Sequence, residues 1–188
     1  QAVTQAIGGG RTGLRLSPVT PSNGAGADSD PQALMAHALA QLAPLKLAYL
    51  HLIEGQTGGP RDVAPFDYAA LRKLTSGAWM VNNGYTRQMA LDAVAGGAAD
   101  LVAFGKAFIA NPDLVRRLRD NAALNPLDAA RLYGGGAQGA RAMTGAAHCA
   151  VLMRAAAADG MAAASTWGVA ACVIASIHRP RRRRARVG

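Results

Sequence analysis

The residues best suited to chemistry are Gly105 and Lys106, which directly follow the apolar run Leu101 to Phe104. A glycine lets backbone approach a ligand and a lysine beside it supplies a cation, so the pair can hold an anion. The run before them has the length and residue types of a strand buried on both faces. A helix start follows, with Asn111 as N-cap, Pro112 at the first helical position, Asp113 in the first turn, and Leu114, Val115 and Leu118 as an apolar stripe. Strand, Gly-Lys, helix is a phosphate-site candidate, although glycines in turns are common enough that Gly-Lys alone is weak. His51 and Glu54 lie three apart on a strand candidate, hence on opposite faces, and do not suggest a metal pair. His51 reads as interior filling, His37 as a surface or interface residue on a helix, and no metal is assigned. Cys149 and Cys172 form no CxxC or other ligand spacing, so a disulfide framework is not expected.

The elements that must position these residues alternate. Gln1 to Ile7 reads as the end of a helix, and Thr12 to Ser17 as a strand followed by a Pro/Gly/Asn/Ser/Asp-rich loop to Asp30. Asp30-Pro31 opens a helix to about Leu42, by the same cap-then-proline logic. Leu47 to Ile53 is the next strand, with a polar, Gly-rich loop to Pro65 and a helix from Phe66 to Leu74. Trp79 to Asn82 is a third strand, ending in Asn82-Asn83-Gly84; Thr86 caps a helix to about Ala95, closed by Gly96-Gly97. Four βα units in succession predict an α/β fold with a parallel sheet and helices packed outside it, and ligands at the C-terminal ends of the strands.

A chain of 188 residues is long enough to bury a core. Its net charge of +9 is unevenly spread: residues 1–139 carry 12 Lys+Arg and 10 Asp+Glu, and residues 140–188 carry 8 and 1. The body is close to neutral, and any electrostatic partner belongs to the tail, where six arginines lie between Arg179 and Arg186. Residues 140–178 are dominated by Ala without strand-helix punctuation, so an unstructured or weakly helical tail is expected. Gly160 to Ile177 is an uncharged run that could be a membrane anchor, but alanine makes it only weakly hydrophobic and disorder is read ahead of it. Translation in a shifted frame would also suit an Ala/Arg-rich sequence. No basic region with an apolar h-region opens the chain, so a cytoplasmic location is expected; a start without Met, in mid-pattern, suggests a truncated N-terminus.

Five motifs fall in order along this frame: GLRLSP at Gly13 to Pro18, YLHLIEG at Tyr49 to Gly55, NNGYT at Asn82 to Thr86, AFGKAFIANPDLVRRL at Ala103 to Leu118, and LYGGGAQG at Leu132 to Gly139. Together they resemble the C-terminal half of the Old Yellow Enzyme family, the flavin-dependent ene-reductases, over about residues 1–139. The resemblance implies a partial TIM barrel whose four units correspond to strands five to eight of a (βα)8 barrel. It implies FMN at the C-terminal face, NADPH as hydride donor, and reduction of activated C=C bonds such as those of enones. Arg15 then matches the arginine beside the flavin N1/O2 edge; without the resemblance it would be a strand-end arginine in a surface ion pair. Asn83, Gly84, Gly105 and Lys106 match positions that hold the FMN phosphate, and Tyr133 matches a tyrosine lining the substrate pocket. The family generally has Arg at the position of Lys106; lysine gives a point charge without the bidentate fork, so binding is expected to survive but weaken. Ala140 to Ala142 depart from the family pattern, so the resemblance does not extend to the barrel's closing segment.

The resemblance also implies that the residues binding the substrate carbonyl, tuning the flavin O4 edge and supplying the proton come from an N-terminal half, which these motifs do not include. The expectation is therefore a fragment with little or no activity alone. The alternatives are a non-catalytic half-barrel that self-associates or pairs with a separate N-terminal half, and a protein that binds membrane or nucleic acid through its arginine tail. The main reading has no nucleic-acid partner, and a membrane partner is the weaker alternative.

Overall fold

The structure, a computed structural model, describes residues 1–20, 28–63, 66–129, 150–155 and 167–172. Four strands run parallel in sequence order: β1 (Gly13–Leu16), β2 (Tyr49–Ile53), β3 (Ala78–Asn82) and β4 (Leu101–Phe104). Between them lie the helices α2 (Pro31–Leu42), α3 (Tyr68–Arg72) and α4 (Arg87–Ala95), after a short α1 (Ala2–Ile7) that precedes β1; α5 (Lys106–Ala110) and α6 (Leu114–Asp120) follow β4. This is the α/β alternation the sequence predicts.

Register divides the sheet into two faces. Leu14, Leu50 and Trp79 are partners across β1, β2 and β3, as are Leu16, Leu52 and Val81, the last paired with Val102. These form one face of the sheet, and the buried residues among them pack with Leu39 of α2, Leu71 of α3, Ala90 of α4, and Leu114 and Leu118 of α6. Apolar runs without polar alternation make strands that can be covered in this way. Helices α2, α3 and α4 begin where short polar side chains satisfy free N–H groups: Asp30 Oδ1 accepts from Ala33 N at 2.9 Å, Asp67 Oδ1 from Ala70 N at 2.8 Å, and Thr86 Oγ1 from Met89 N at 3.2 Å. At the N-terminal end of the sheet, Asp100 accepts from Arg72 (2.8 Å) and from Trp79 N (2.8 Å), tying α3 to β3 and β4.

The opposite, inner face carries Gly13, Arg15, Tyr49, His51, Met80, Asn82, Leu101 and Ala103, the residues that alternate with the outer set. Tyr49 lies across Gly13, where any side chain would collide with its ring. Any larger residue there would have to displace the ring.

Two expectations are corrected. Asn111 is not the N-cap of the last helix: α6 starts after Asp113, and Asn111 instead ends α5. Its side chain is fully buried, donating to Ala107 O (2.9 Å) and accepting from Asn125 N (2.8 Å), so it is occupied in anchoring the segment after α6. The tail is the second correction. Within it, β5 (Ala150–Ala155) pairs antiparallel with β4, and β6 (Trp167–Cys172) antiparallel with β5, where no structure or weak helix was expected. Val151, Leu152, Val169 and Trp167 suit strands, and β4 offers the unpaired backbone edge they extend. The weak membrane-anchor run overlaps β6, and among the described residues no helix is long and apolar enough to cross a membrane.

Candidate functional site

The loops after β2, β3 and β4 meet at the C-terminal end of the sheet. Asn83 follows β3 with φ 114°, a left-handed geometry that few residues other than glycine adopt, and Gly84 comes next at φ 69°. What holds Asn83 there is its side chain. Nδ2 donates to Glu54 O (2.6 Å) and Gln56 O (2.8 Å), and Oδ1 accepts from Gly58 N at 3.3 Å. The amide is thus consumed in fastening the loop after β2 to β3, and what Asn83 can offer a ligand is backbone. Gly84 and Gly105 both face open space: a Cβ built on either meets nothing within 4 Å.

Lys106, exposed at the start of α5, brings the cation to this place, since its Nζ lies 3.9 Å from the position a Cβ on Gly58 would take. So Asn83, Gly84, Gly105 and Lys106 stand on adjacent strand ends, as expected, and are joined by a loop the sequence did not single out. Glycines with open space above them, one cation, and the free N–H groups of a chain turn can receive a phosphate.

A second network stiffens the same loop. Glu54 Oε2 accepts from Arg61 at 2.7 Å and from Tyr85 OH at 2.6 Å, while the Arg61 guanidinium stacks 4.0 Å from the Tyr85 ring centroid. Burial first, then the hydrogen bond to Glu54, push the Tyr85 hydroxyl well above the ordinary tyrosine range, so it stays a donor. Tyr68 OH accepts from Gly55 N at 2.9 Å, and burial raises its pKa as well. Around these residues opens a cleft of about 790 Å³, lined by Glu54, Arg61, Phe66, Tyr68, Asn83 and Gly84 among others.

Arg15 sits apart from the phosphate position, exposed on the inner face of β1 and paired in register with His51. From β1 to β4 is three interstrand steps, roughly 14 Å at the usual spacing. A ligand touching both cations must therefore be elongated. His51 is 6 % exposed. Burial, and next the charge of Arg15, lower its pKa from 6.5 to about 4, against the opposing influence of Asn82, so the imidazole is neutral at pH 7. Tyr133 lies outside the described residues. Among those described, no group of three or more His, Cys, Asp or Glu could hold a metal.

The residues missed in the sequence are Gly58, Arg61 and Tyr85. The Gly-rich stretch GQTGGPR after a strand was the available signal, but nothing local to it shows that Asn83 reaches back to bind it.

Comparison with known proteins bears on the whole arrangement. The sequence model of the NADH:flavin oxidoreductase / NADH oxidase family matches residues 1–125. The chain is 41 % identical over 140 residues to 12-oxophytodienoate reductase 7 of Oryza sativa subsp. japonica, covering 66 % of this chain and 35 % of the relative. It superposes on the old yellow enzyme of Trypanosoma cruzi with a TM-score of 0.60 at 39 % identity, over 66 % of this chain and 32 % of that one. For a morphinone reductase solved in complex with tetrahydroNAD the TM-score is 0.65 at 35 % identity, over 73 % and 36 %. The chain thus spans about a third of the length of these relatives.

Proposed function

The chain belongs to the NADH:flavin oxidoreductase / NADH oxidase family, that of the Old Yellow Enzymes, and on that premise we propose that it binds FMN across the C-terminal ends of β1 to β4. Its four units then correspond to strands five to eight of the barrel, and the reaction it serves is NADPH-dependent reduction of an activated C=C bond such as that of an enone. The name of the rice relative, a 12-oxophytodienoate reductase, fits a substrate of that class.

The observation that carries this reading is the pairing of an anion cradle with a distant second cation: Lys106 beside Gly58, open space over Gly84 and Gly105, and Arg15 three strands away on the inner face. FMN has a phosphate at one end and, at the other, a ring edge that becomes anionic when reduced. Bound there, it would carry hydride between nicotinamide and alkene. Lys106 and the backbone at Gly84 and Gly105 would hold the phosphate. The Arg15 guanidinium would face the N1/O2 edge, stabilising the charge that develops there without having to reorient. Asn83 keeps its turn in shape through Glu54, Gln56 and Gly58 and so positions the backbone that faces the phosphate.

Titration of the chain with FMN, followed by quenching of flavin fluorescence, tests the reading. Saturable binding is expected, with Lys106→Ala and Arg15→Ala each weakening it by about tenfold or more, as loss of a charge-assisted contact should. Absence of binding by the folded chain would overturn it. Alkene-dependent NADPH oxidation by this polypeptide alone is expected to be small or nil, because the groups that would hold the alkene carbonyl and deliver the proton are not among those described.

A further inference from the structure

The inner face of the sheet is apolar around one polar group of three. Arg15 and His51 are register partners on β1 and β2; Asn82 lies on the same face of β3, two residues beyond Met80, the register partner of His51. Two atoms in this group are left over. His51 Nε2 and Asn82 Oδ1 are both buried and neither has a partner in hydrogen-bond geometry among the described residues. An orphaned polar atom in such a place is costly and rare. These two are of complementary kinds on neighbouring strands. An amide oxygen only accepts, and an imidazole protonated on Nε2 donates from that atom. A small approach, or one bridging water, satisfies both together.

We propose that His51 and Asn82 form a neutral positioning pair for Arg15: the amide oxygen fixes the proton on Nε2, and the uncharged ring supports the guanidinium that faces the flavin edge. The inference rests on the flavin reading above for what Arg15 faces, but not for the pairing. The surroundings favour a neutral ring. Against His51 the inner face presents Arg15 from β1, Tyr49 from its own strand, Met80 and Asn82 from β3, and Leu101 and Ala103 from β4. None is a carboxylate that could compensate a second cation. A protonated imidazole would set like charges side by side, whereas a neutral one leaves the Arg15 guanidinium without a second cation at its register partner. The lowering of the His51 pKa by burial and by Arg15 agrees with this.

The test uses the full chain with ¹⁵N-labelled histidine, the His51 signal being assigned by its loss in His51→Gln. The expected spectrum shows a neutral ring with the proton on Nε2 at pH 7, which Asn82→Leu converts to a mixture of tautomers. Asn82→Asp should raise the His51 midpoint by more than one pH unit, because the amide becomes a carboxylate beside the ring. A mixed tautomer in the unmodified chain, or a midpoint unmoved by Asn82→Asp, overturns the pair without reference to flavin. The positioning role is read on FMN. His51→Ala should weaken FMN binding about fivefold and lower the midpoint potential of bound FMN, both effects vanishing in an Arg15→Ala background. His51→Gln, which still offers a donor to Asn82, should restore both. Losses that simply multiply would overturn the role. If the unmodified chain binds no FMN, the functional reading fails, and the role is then judged by solvent exchange of the Arg15 Nε–H. His51→Ala should speed that exchange, and an unchanged rate overturns the role.

Discussion

The two faces of β2 and β3 are made from alternate residues of the same short strands, yet they do different work. Outward, Leu50, Leu52, Trp79 and Val81 join one continuous apolar cluster with the helices. Inward, His51 and Asn82 interrupt the apolar residues, Met80 packs in a small separate cluster with Ala103, Tyr49 and Leu101, and Arg15 stands exposed beside them. Period-two alternation permits this division, because a residue and its neighbour never share a face. The outer face has no group that could do chemistry, and the inner face gives up packing to hold three that could. Stability and chemistry are thus assigned to alternate positions within each strand rather than to separate regions of the chain.

Neighbouring residues on opposite faces give the largest contrast. Trp79 and Met80 are 1 % and 2 % exposed. Trp79→Ala should cost about 3–5 kcal/mol, while Met80→Ala, in the smaller cluster, should fall near the low end of its class, at about 2 kcal/mol. Chemical denaturation of both variants measures the difference. Equal losses would mean that the inner face contributes to the core as fully as the outer one.

The next effect belongs to the inner face alone. The folded-state pKa of His51 is lowered from 6.5 to about 4, so between those values the unfolded chain binds the extra proton. Stability is therefore fully present above about pH 6.5 and falls as the pH drops to 4, by up to about 3 kcal/mol. Denaturation midpoints across this range should show that slope, and His51→Leu should flatten it. Asp113 acts lower on the scale, since Arg117 and then Arg116 hold its carboxyl below the ordinary range. A slope unchanged by His51→Leu would show that the imidazole already ionises inside the fold.

Asn83 lies where the two faces end, and two substitutions there separate its roles. Asn83→Ala loses the bonds to Glu54, Gln56 and Gly58 and keeps an unfavourable φ of 114°, so it should destabilise by about 2–3 kcal/mol and weaken FMN binding. Asn83→Gly loses the same bonds but relaxes the backbone, and should be milder by about 1 kcal/mol.

How far this was legible in the sequence depended on how local each signal was. The four strands and the caps at Asp30 and Thr86 follow from residues within a turn of the feature they set, and the structure agrees with them. Asn111 carried an equally good cap signal and was misread, because its amide is claimed by Asn125, 14 residues away. The knot of Glu54, Arg61 and Tyr85 is set by a fold that brings residues 31 positions apart into contact, and no pattern in either segment announces it. The same holds for β5: its run suits a strand, but its partner is β4, about 50 residues earlier in the chain. Gly105 and Lys106 were legible as a candidate from the strand that ends before them, Asn83 and Gly84 only through the family resemblance, and the loop that joins Lys106 to Asn83 through neither.

The smallest effects test the division most stringently, because they perturb one side only. Asp30 and Asp67 each accept a hydrogen bond from the first turn of a helix, at 2.9 and 2.8 Å, and both helices pack on the outer face. Removing either carboxylate by Asp30→Ala or Asp67→Ala frees one N–H to solvent and should cost about 1 kcal/mol. If the faces are independent, neither substitution touches Arg15, His51 or Lys106, and FMN affinity measured well below the unfolding temperature should stay within twofold of the unmodified chain. A loss of FMN affinity in Asp67→Ala but not in Asp30→Ala would have a specific meaning. Asp67 precedes Tyr68, whose hydroxyl accepts from Gly55 at 2.9 Å, so the start of α3 has a direct hold on the loop that Asn83 fastens. Coupling through that tyrosine would make α3 part of the phosphate site's support, and would confine the separation of the two faces to the strands themselves.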